Sequence, residues 1–97
     1  MRVVSWTPRA RDDLAGIRDF INQDSPHAAA VVVRRLIAAV DQVARFPDSG
    51  RAVPELGNPT VREVAIRPYR IVYRLVDNSE IHILTIHHGA RLFPESL

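Results

Sequence analysis

Apolar residues recur with two different periods along the chain, and the period changes near Val61. In the first half, apolar side chains are spaced three and four residues apart, as in helices that bury one face. From Val61 onward, apolar and polar residues alternate, as in strands that bury one face. The pattern predicts an α+β fold in which two helices precede a group of strands.

The first helix is predicted to begin at Pro8. Arg2–Trp6 is short and valine-rich, which suits a strand. Thr7 and Pro8 then combine an N-cap residue with proline at the first helical position. The helix should end near Asn22. Its apolar stripe consists of Ala10, Leu14, Ile17 and Ile21.

The second helix is predicted to begin with the same signal, at Ser25 and Pro26, and to end at Phe46 and Pro47. Because the connection between the helices is short, they should form an antiparallel hairpin. The apolar stripe of the second helix consists of Ala29, Val33, Leu36, Val40 and Val43, widened by Val32, Ile37 and Ala44.

The rest of the chain is predicted to form a surface loop and an antiparallel meander. Prolines and glycines indicate a loop over Pro47–Pro59. The strands should be Val61–Ile66, Tyr69–Val76 and Glu80–His87. We therefore expect one domain over residues 1–97 with the order β-α-α-β-β-β. Its helices should pack on one face of the sheet, and the helix-free face should carry arginines.

Composition limits the possible locations and chemistries. The longest apolar run, Ala28–Val33, is far shorter than the roughly 20 residues of a membrane span, and the N-terminus lacks a signal-peptide pattern. We therefore expect a cytoplasmic protein without a membrane partner. The absence of cysteine rules out disulfides and thiolate metal sites. We expect no cofactor and no metal.

Arginine supplies all thirteen basic residues, and the net charge is +2. Its guanidinium stays charged and binds phosphate or carboxylate through paired hydrogen bonds. Arg70 and Arg74, four residues apart on one strand face, are the strongest candidates for an interaction surface, and substituting both should abolish activity without disturbing the fold. Arg62, Arg67 and Arg91 are expected to extend the surface. Alternatively, the strand face is solvated and holds local ion pairs such as Arg62 with Glu63.

Three histidines close in sequence raise the alternative of proton-transfer chemistry. His87 and His88 should point to opposite sides of a strand. His82 and His88 should share a face but lie about 20 Å apart. This spacing disfavours a shared metal ion and a joint catalytic site.

Five ordered segments together resemble the ParE/RelE toxin superfamily of type II toxin-antitoxin systems, nearer its ParE branch. The resemblance extends along essentially the whole chain and implies the fold predicted above. The segments are WTPRARDDL (Trp6–Leu14), SPHAA (Ser25–Ala29), FPDSGR (Phe46–Arg51), YRIVYR (Tyr69–Arg74) and IHHGAR (Ile86–Arg91).

The resemblance implies one of two activities. RelE-like toxins cut mRNA on the ribosome with basic residues of the sheet and commonly a tyrosine in the tail, whereas ParE-like toxins inhibit DNA gyrase without that catalytic set. Arg70 matches an arginine used by the RelE-like branch, and Arg62 lies near a second basic position. The tail after Gly89 contains no tyrosine and looks like that of ParE. The resemblance therefore favours a non-enzymatic gyrase inhibitor.

The implied partners are DNA gyrase and a ParD-like antitoxin encoded by a neighbouring gene, with which the toxin should form a hetero-oligomer that contributes to plasmid stabilisation. The alternatives are a RelE-type mRNA endoribonuclease and a non-toxic antitoxin-binding co-repressor, and direct nucleic-acid binding stays open. Candidates for target binding or toxicity are Arg62, Arg67, Arg70, Arg74, His88 and Arg91. Candidates for antitoxin binding are Val32, Ile37, Ala44, Arg70 and Arg74.

Overall fold

The computed structural model describes residues 1–97 and contains the predicted elements in the predicted order, with one short strand added. A 3-10 turn at Pro47–Ser49 follows the second helix. The helices are α1, Pro8–Asn22, and α2, Pro26–Arg45. The strands are β1, Val3–Trp6; β2, Arg51–Ala52; β3, Val61–Ile66; β4, Tyr69–Leu75; and β5, Glu80–His88.

Both helices begin where the sequence predicts, and the predicted capping residues are in place. The Thr7 hydroxyl accepts a hydrogen bond from the backbone N–H of Ala10 at 3.1 Å, and Ser25 caps α2 in the same way through Ala28 at 3.1 Å. Thr7 also donates to the carbonyl oxygen of Ile83 at 2.8 Å, so the same side chain attaches α1 to β5. No helix combines the length and the apolar character needed to cross a membrane.

The five strands form one mixed sheet in the order β1-β5-β4-β3-β2. The predicted meander of β3, β4 and β5 is antiparallel, while β1 lies parallel to β5. The pairing of β4 with β5 shifts by one residue. Val72 is opposite Thr85 whereas Tyr73 is opposite Ile83, so Leu84 is the extra residue of a β-bulge. The bulge reverses the alternation of inward and outward positions along β5.

The sheet separates two apolar clusters of different size. The helix-covered face holds nine buried residues, among them Leu36 of α2 and Ile71 of β4. Tyr69, Ile71, Tyr73 and Leu75 all lie in or against this cluster, as their alternation predicts. The helix-free face holds a second cluster packed under Phe93, and its members are Val53, Val61, Val72 and Leu84.

The prediction of a plain surface loop over Pro47–Pro59 is wrong at its first residues. The buried Tyr73 hydroxyl donates to the carbonyl oxygen of Pro47 at 2.7 Å and accepts from the N–H of Gly50 at 3.0 Å. An added Cβ at Gly50 would overlap that hydroxyl oxygen. Val53 is fully buried on the helix-free face. Long-range contacts with β4 therefore order a segment whose local sequence indicates only a loop.

Candidate functional site

Arg70, the strongest sequence-predicted candidate, lies in a network of ion pairs on the helix-free face. Its Nε and Nη2 donate to the two carboxylate oxygens of Glu63, each at 2.6 Å. Its Nη1 and Nη2 donate to Glu55 at 2.8 and 2.7 Å. Arg51 approaches Glu63 from the edge strand at 3.6 Å. Two bidentate pairs thus occupy four of the five N–H donors of the Arg70 guanidinium.

The C-terminal segment covers this network. The Phe93 ring lies 4.9 Å from the guanidinium carbon of Arg70, a cation–π distance, and meets the ring of His87 edge to face at 5.6 Å. His87 Nε2 donates to the carbonyl oxygen of Arg91 at 2.9 Å. Arg9 donates to the carbonyl oxygen of Ser96 at 2.8 Å. Contacts at three points along its length hold the segment against the sheet.

The charges of the network strengthen one another. The hydrogen bond from Arg70 lowers the pKa of Glu55 from 4.5 to about 2. The hydrogen bonds to Glu55 and then to Glu63 raise the pKa of Arg70. The Arg70 side chain is 15% exposed and that of Glu63 is 1% exposed. Because four of its five donors are occupied within the chain and its face is covered, Arg70 has little capacity left for a phosphate or a partner's carboxylate.

Arg62 does not join Arg70 and Arg74 on one surface. In β3, Arg62 is opposite Tyr73 of the helix-covered face, and its Nη1 donates to the carbonyl oxygen of Gly50 at 3.0 Å. Its Nε is buried without a partner. The alternative of a local pair between Arg62 and Glu63 is also wrong, because adjacent strand residues point to opposite faces and Glu63 pairs with Arg70 instead.

The remaining predicted arginines are scattered. Arg74 is half-buried on the helix-free face, makes no ion pair, and lines a small cavity beside Pro94 and Leu97. Arg67 is exposed at the turn between β3 and β4. Arg91 is exposed where the C-terminal segment leaves the sheet. The continuous basic patch expected from the sequence is therefore absent, and the prediction that it forms is wrong.

The histidines are also separated, in a different way from the one predicted. The bulge at Leu84 places His82 and His87 on the helix-free face, opposite Arg74 and Arg70. His88 lies on the other face, where its ring meets Tyr69 edge to face at 5.6 Å. The expectation that His82 and His88 share a face is wrong because the bulge changes the alternation between them.

A first groove, here called the helical groove, lies between α1 and α2. Its volume is about 370 Å³. Apolar side chains dominate the lining, and the charged side chains along it are both arginines. Ile37 is 42% exposed there. The lining residues are Trp6, Arg11, Leu14, Ala15, Arg18, Val33 and Ile37.

A second groove, here called the sheet-end groove, lies between the other side of α1 and the ends of β4 and β5. Its volume is about 660 Å³. Gly16 and Phe20 of α1 line one wall, Tyr69 and Ile86 belong to the sheet, and Arg91 lies at the beginning of the C-terminal segment. The other lining residues are Asp12, Asp13, Ile17, Ile21, His88 and Ala90. Two sequence-predicted candidates, His88 and Arg91, therefore come together here.

The candidates for antitoxin binding on α2 have different environments. Ile37 lines the helical groove and is exposed. Val32 is half-buried against the main core. Ala44 is 1% exposed, so it presents no surface to a partner, and its selection as a contact residue is wrong. Val33, part of the predicted apolar stripe of α2, is half-buried and lines the helical groove.

Sequence reasoning missed the acidic partners of Arg70 and most of the sheet-end groove. Glu63 lies between Val61 and Ala65 on the helix-free face of β3, and a charge between apolar positions of one strand face signals a buried ion pair. Gly16 in the middle of a helix and an aromatic residue one turn later, Phe20, were a further signal. The position of Glu55 carried no comparable signal, because it lies in the loop before β3.

Comparisons with known proteins agree with this architecture. The family described as "ParE toxin of type II toxin-antitoxin system, parDE" matches residues 4–93. Toxin RelE2 of Caulobacter vibrioides is 41% identical over 92 residues, which is 95% of this chain and 100% of that protein.

Two solved structures are also similar. A chain from the chromosomal ParDE toxin-antitoxin system of P. aeruginosa has a TM-score of 0.72 and 28% identity, covering 91% of this chain and 96% of its own. A chain from the toxin-antitoxin complex RelBE2 of Mycobacterium tuberculosis has a TM-score of 0.57 and 26% identity, covering 90% and 96%. The chain therefore belongs to the ParE toxin family of type II toxin-antitoxin systems, within the ParE/RelE superfamily.

Proposed function

We propose that this toxin inhibits DNA gyrase by binding it, without cutting a substrate, and that a ParD-like antitoxin neutralises it. The observation that carries the proposal is the state of Arg70. At the position that matches a catalytic arginine of RelE-like toxins, this chain holds a guanidinium paired with Glu55 and Glu63 and covered by Phe93. The charge that a nuclease needs on the scissile phosphate is neutralised within the chain.

The histidine beside Arg70 is not free for the proton transfer that mRNA cleavage requires. His87, the nearest histidine, is 8% exposed and donates from Nε2 to the carbonyl oxygen of Arg91. Its other side is covered by Phe93. The tail contains no tyrosine. These features support an inhibitor that acts by binding, because neither a free histidine nor a tail tyrosine faces Arg70.

A second candidate function is ribosome-dependent mRNA cleavage of the RelE type. It is favoured by the name of the similar protein RelE2 of Caulobacter vibrioides, which is 41% identical to this chain over 92 residues. For this function, Glu55 and the C-terminal segment with Phe93 would have to move away from Arg70 when the toxin binds its target. The two candidates predict different products: inhibited or trapped gyrase in one case, and cut mRNA on ribosomes in the other.

The antitoxin is proposed to bind in the helical groove. The groove offers an apolar floor that includes Val33 and Ile37, and its rim carries Arg11 and Arg18. No carboxylate lines it. A flexible antitoxin segment that folds on binding fits this surface when it places apolar side chains on the floor and acidic ones near the arginines. Arg70 is not part of the proposal, since its donors are occupied.

Gyrase supercoiling of relaxed plasmid, measured with purified toxin, tests the proposed target. We expect inhibition that added antitoxin reverses, together with trapped cleaved DNA. A toxin that leaves gyrase unaffected but cuts mRNA on purified ribosomes would instead establish the RelE-type activity.

Titration calorimetry with the antitoxin tests the proposed antitoxin site. Ile37→Asp places a carboxylate on the apolar floor of the helical groove and should weaken binding at least tenfold, or about 1.4 kcal/mol. Ala38→Asp is the matched control, because Ala38 is exposed on the same helix but lines neither groove. Equal affinities of the two variants would show that the antitoxin binds another surface of the toxin.

A further inference from the structure

Gly16 is a residue that the isolated fold does not explain. It lies in the middle of α1, where glycine is less favourable than any residue except proline. Its backbone is helical, and an added Cβ would meet no atom within 4 Å. Neither the backbone conformation nor packing within the chain therefore requires a glycine. Glycine also permits a second molecule's backbone to approach a helix closely, and that requirement exists only in a complex.

The surroundings of Gly16 have the character of an interaction surface. Gly16 lines the sheet-end groove, and one helical turn later Phe20 is 70% exposed beside it. Tyr69 and Ile86 add apolar surface from the sheet. An exposed aromatic residue next to an apolar groove is a recurrent feature of protein–protein contact sites, where aromatic residues are enriched.

The charges of the sheet-end groove have both signs. Asp12 is exposed on α1, one turn before Gly16, and Arg91 is exposed at the C-terminal segment. Asp13 accepts hydrogen bonds from the Thr85 hydroxyl and from the N–H of Ile86, so it serves the fold. A complementary partner segment therefore carries apolar side chains with a basic group toward Asp12 and an acidic group toward Arg91.

This mixture distinguishes the sheet-end groove from the helical groove. The helical groove is lined by arginines without carboxylates, which suits an acidic antitoxin segment. The two grooves lie on different sides of α1 and share no residue. We propose that a segment of the toxin's target protein, apolar and carrying one acidic and one basic side chain, docks in the sheet-end groove with its backbone against Gly16. The proposal rests on the proposed function of a toxin that acts by binding its target.

A series of substitutions at Gly16 separates docking from folding. Gly16→Ala should raise the melting temperature by a few degrees, because it improves helix propensity and its Cβ enters open space. Gly16→Leu should fold as well as the wild type, yet the concentration for half-maximal gyrase inhibition should rise at least tenfold because leucine fills the groove. Ala38→Leu is the matched control, since it adds the same bulk to an exposed position outside both grooves.

Phe20 provides a second, independent variant. Phe20→Ala should lower potency at least tenfold with a small change in melting temperature, because the side chain is 70% exposed. Phe46→Ala is its control: Phe46 is 57% exposed and lines neither groove, so potency should stay within twofold of the wild type. Antitoxin affinity, measured by calorimetry, should stay within twofold for both Gly16→Leu and Phe20→Ala.

Growth arrest on expression in cells keeps this proposal distinct from the choice of gyrase as target. If the wild type arrests growth without affecting gyrase, the gyrase proposal fails, and loss of arrest in Gly16→Leu still supports the groove. Full arrest by Gly16→Leu overturns the groove proposal for any target. A loss of antitoxin affinity that matches the loss of potency also overturns the proposal, because the groove then holds the antitoxin. A toxin dimer that Gly16→Leu abolishes overturns it as well, because the groove then holds a second copy of the toxin. A wild type that neither arrests growth nor inhibits gyrase overturns both proposals.

Discussion

The two faces of the sheet are closed by different physical means. On the helix-covered face, α1 and α2 bury a cluster of nine residues, of which only Tyr73 carries a polar group. On the helix-free face, four apolar residues lie beside the ion pairs of Arg70 and Glu63, and the cover includes the ring of Phe93. One face depends on apolar area, whereas the other depends on the geometry of a few charged and aromatic groups.

This difference changes where binding is expected. The helix-free face carries the arginines that attract attention in the sequence, but Glu55 and Glu63 neutralise the central one. The two larger grooves lie instead on the two sides of α1. Basic residues on a strand face therefore indicate an anion site only if no acidic side chain of the folded chain pairs with them.

The largest effect is expected on the helix-covered face. Leu36 is fully buried, so Leu36→Ala should lower the free energy of unfolding by about 4 kcal/mol through lost burial and the cavity left behind. Ile37→Ala changes the adjacent position, which is 42% exposed, and should lower the free energy of unfolding by less than about 1 kcal/mol. Denaturant titration of both variants measures the difference, and similar losses would contradict the orientation of α2.

The next largest effect is expected from breaking the ion pairs. Arg70→Met leaves the buried carboxylate of Glu63 with only Arg51 at 3.6 Å and should lower the free energy of unfolding by about 3 kcal/mol. Arg74→Met should change it by less than about 1 kcal/mol, because Arg74 has no ion pair.

These two unfolding measurements also correct the expectation drawn from the sequence. Substituting Arg70 and Arg74 together should disturb the fold, so a loss of toxicity in that variant would report on stability as well as on binding. Equal stability of the two single variants would show that Arg70 is free to bind a partner.

A smaller effect is expected from uncovering the network. Phe93→Ala removes the half-buried ring that covers Arg70 and the second apolar cluster. This loss should lower the free energy of unfolding by about 1 to 2 kcal/mol. Limited proteolysis should then cut the C-terminal segment faster than in the wild type. Leu92→Ala, at a 95% exposed position, is the control and should behave as the wild type. A proteolysis rate for Phe93→Ala equal to that of the control would show that the ring does not hold the segment.

The smallest effect is a dependence of stability on pH. The pKa of Glu55 is about 2 in the fold and 4.5 ordinarily, so its ion pair stabilises the fold above about pH 4.5 and loses this contribution as the pH falls toward 2. The side chain is 40% exposed, which reduces the size of the effect through solvent screening. Urea titrations at about pH 5 and pH 3 should show that the free energy of unfolding falls more for the wild type than for Glu55→Gln. An equal fall in the free energy of unfolding for both proteins would show that Glu55 is not paired with Arg70 in solution.

The sequence by itself determined most of the fold. Thr7 and Ser25 with their following prolines set the helix starts, because N-capping and the fixed φ of proline act within one turn. The alternation in β4 puts Tyr69, Ile71, Tyr73 and Leu75 on one face of the strand, and that face is the one packed on the main core. The candidate site was only partly predictable: His88 and Arg91 meet in one groove, whereas the arginine patch does not form.

Only the tertiary structure decided the features that depend on neighbours distant in sequence. The bulge at Leu84 separates His82 from His88, the loop residue Glu55 reaches Arg70, and Phe93 closes the helix-free face. Helix starts and strand alternation are properties of a few consecutive residues. An ion pair or a groove is a property of chain segments brought together by folding, and the charge of Arg70 acquires its role only when Glu55 and Glu63 lie beside it.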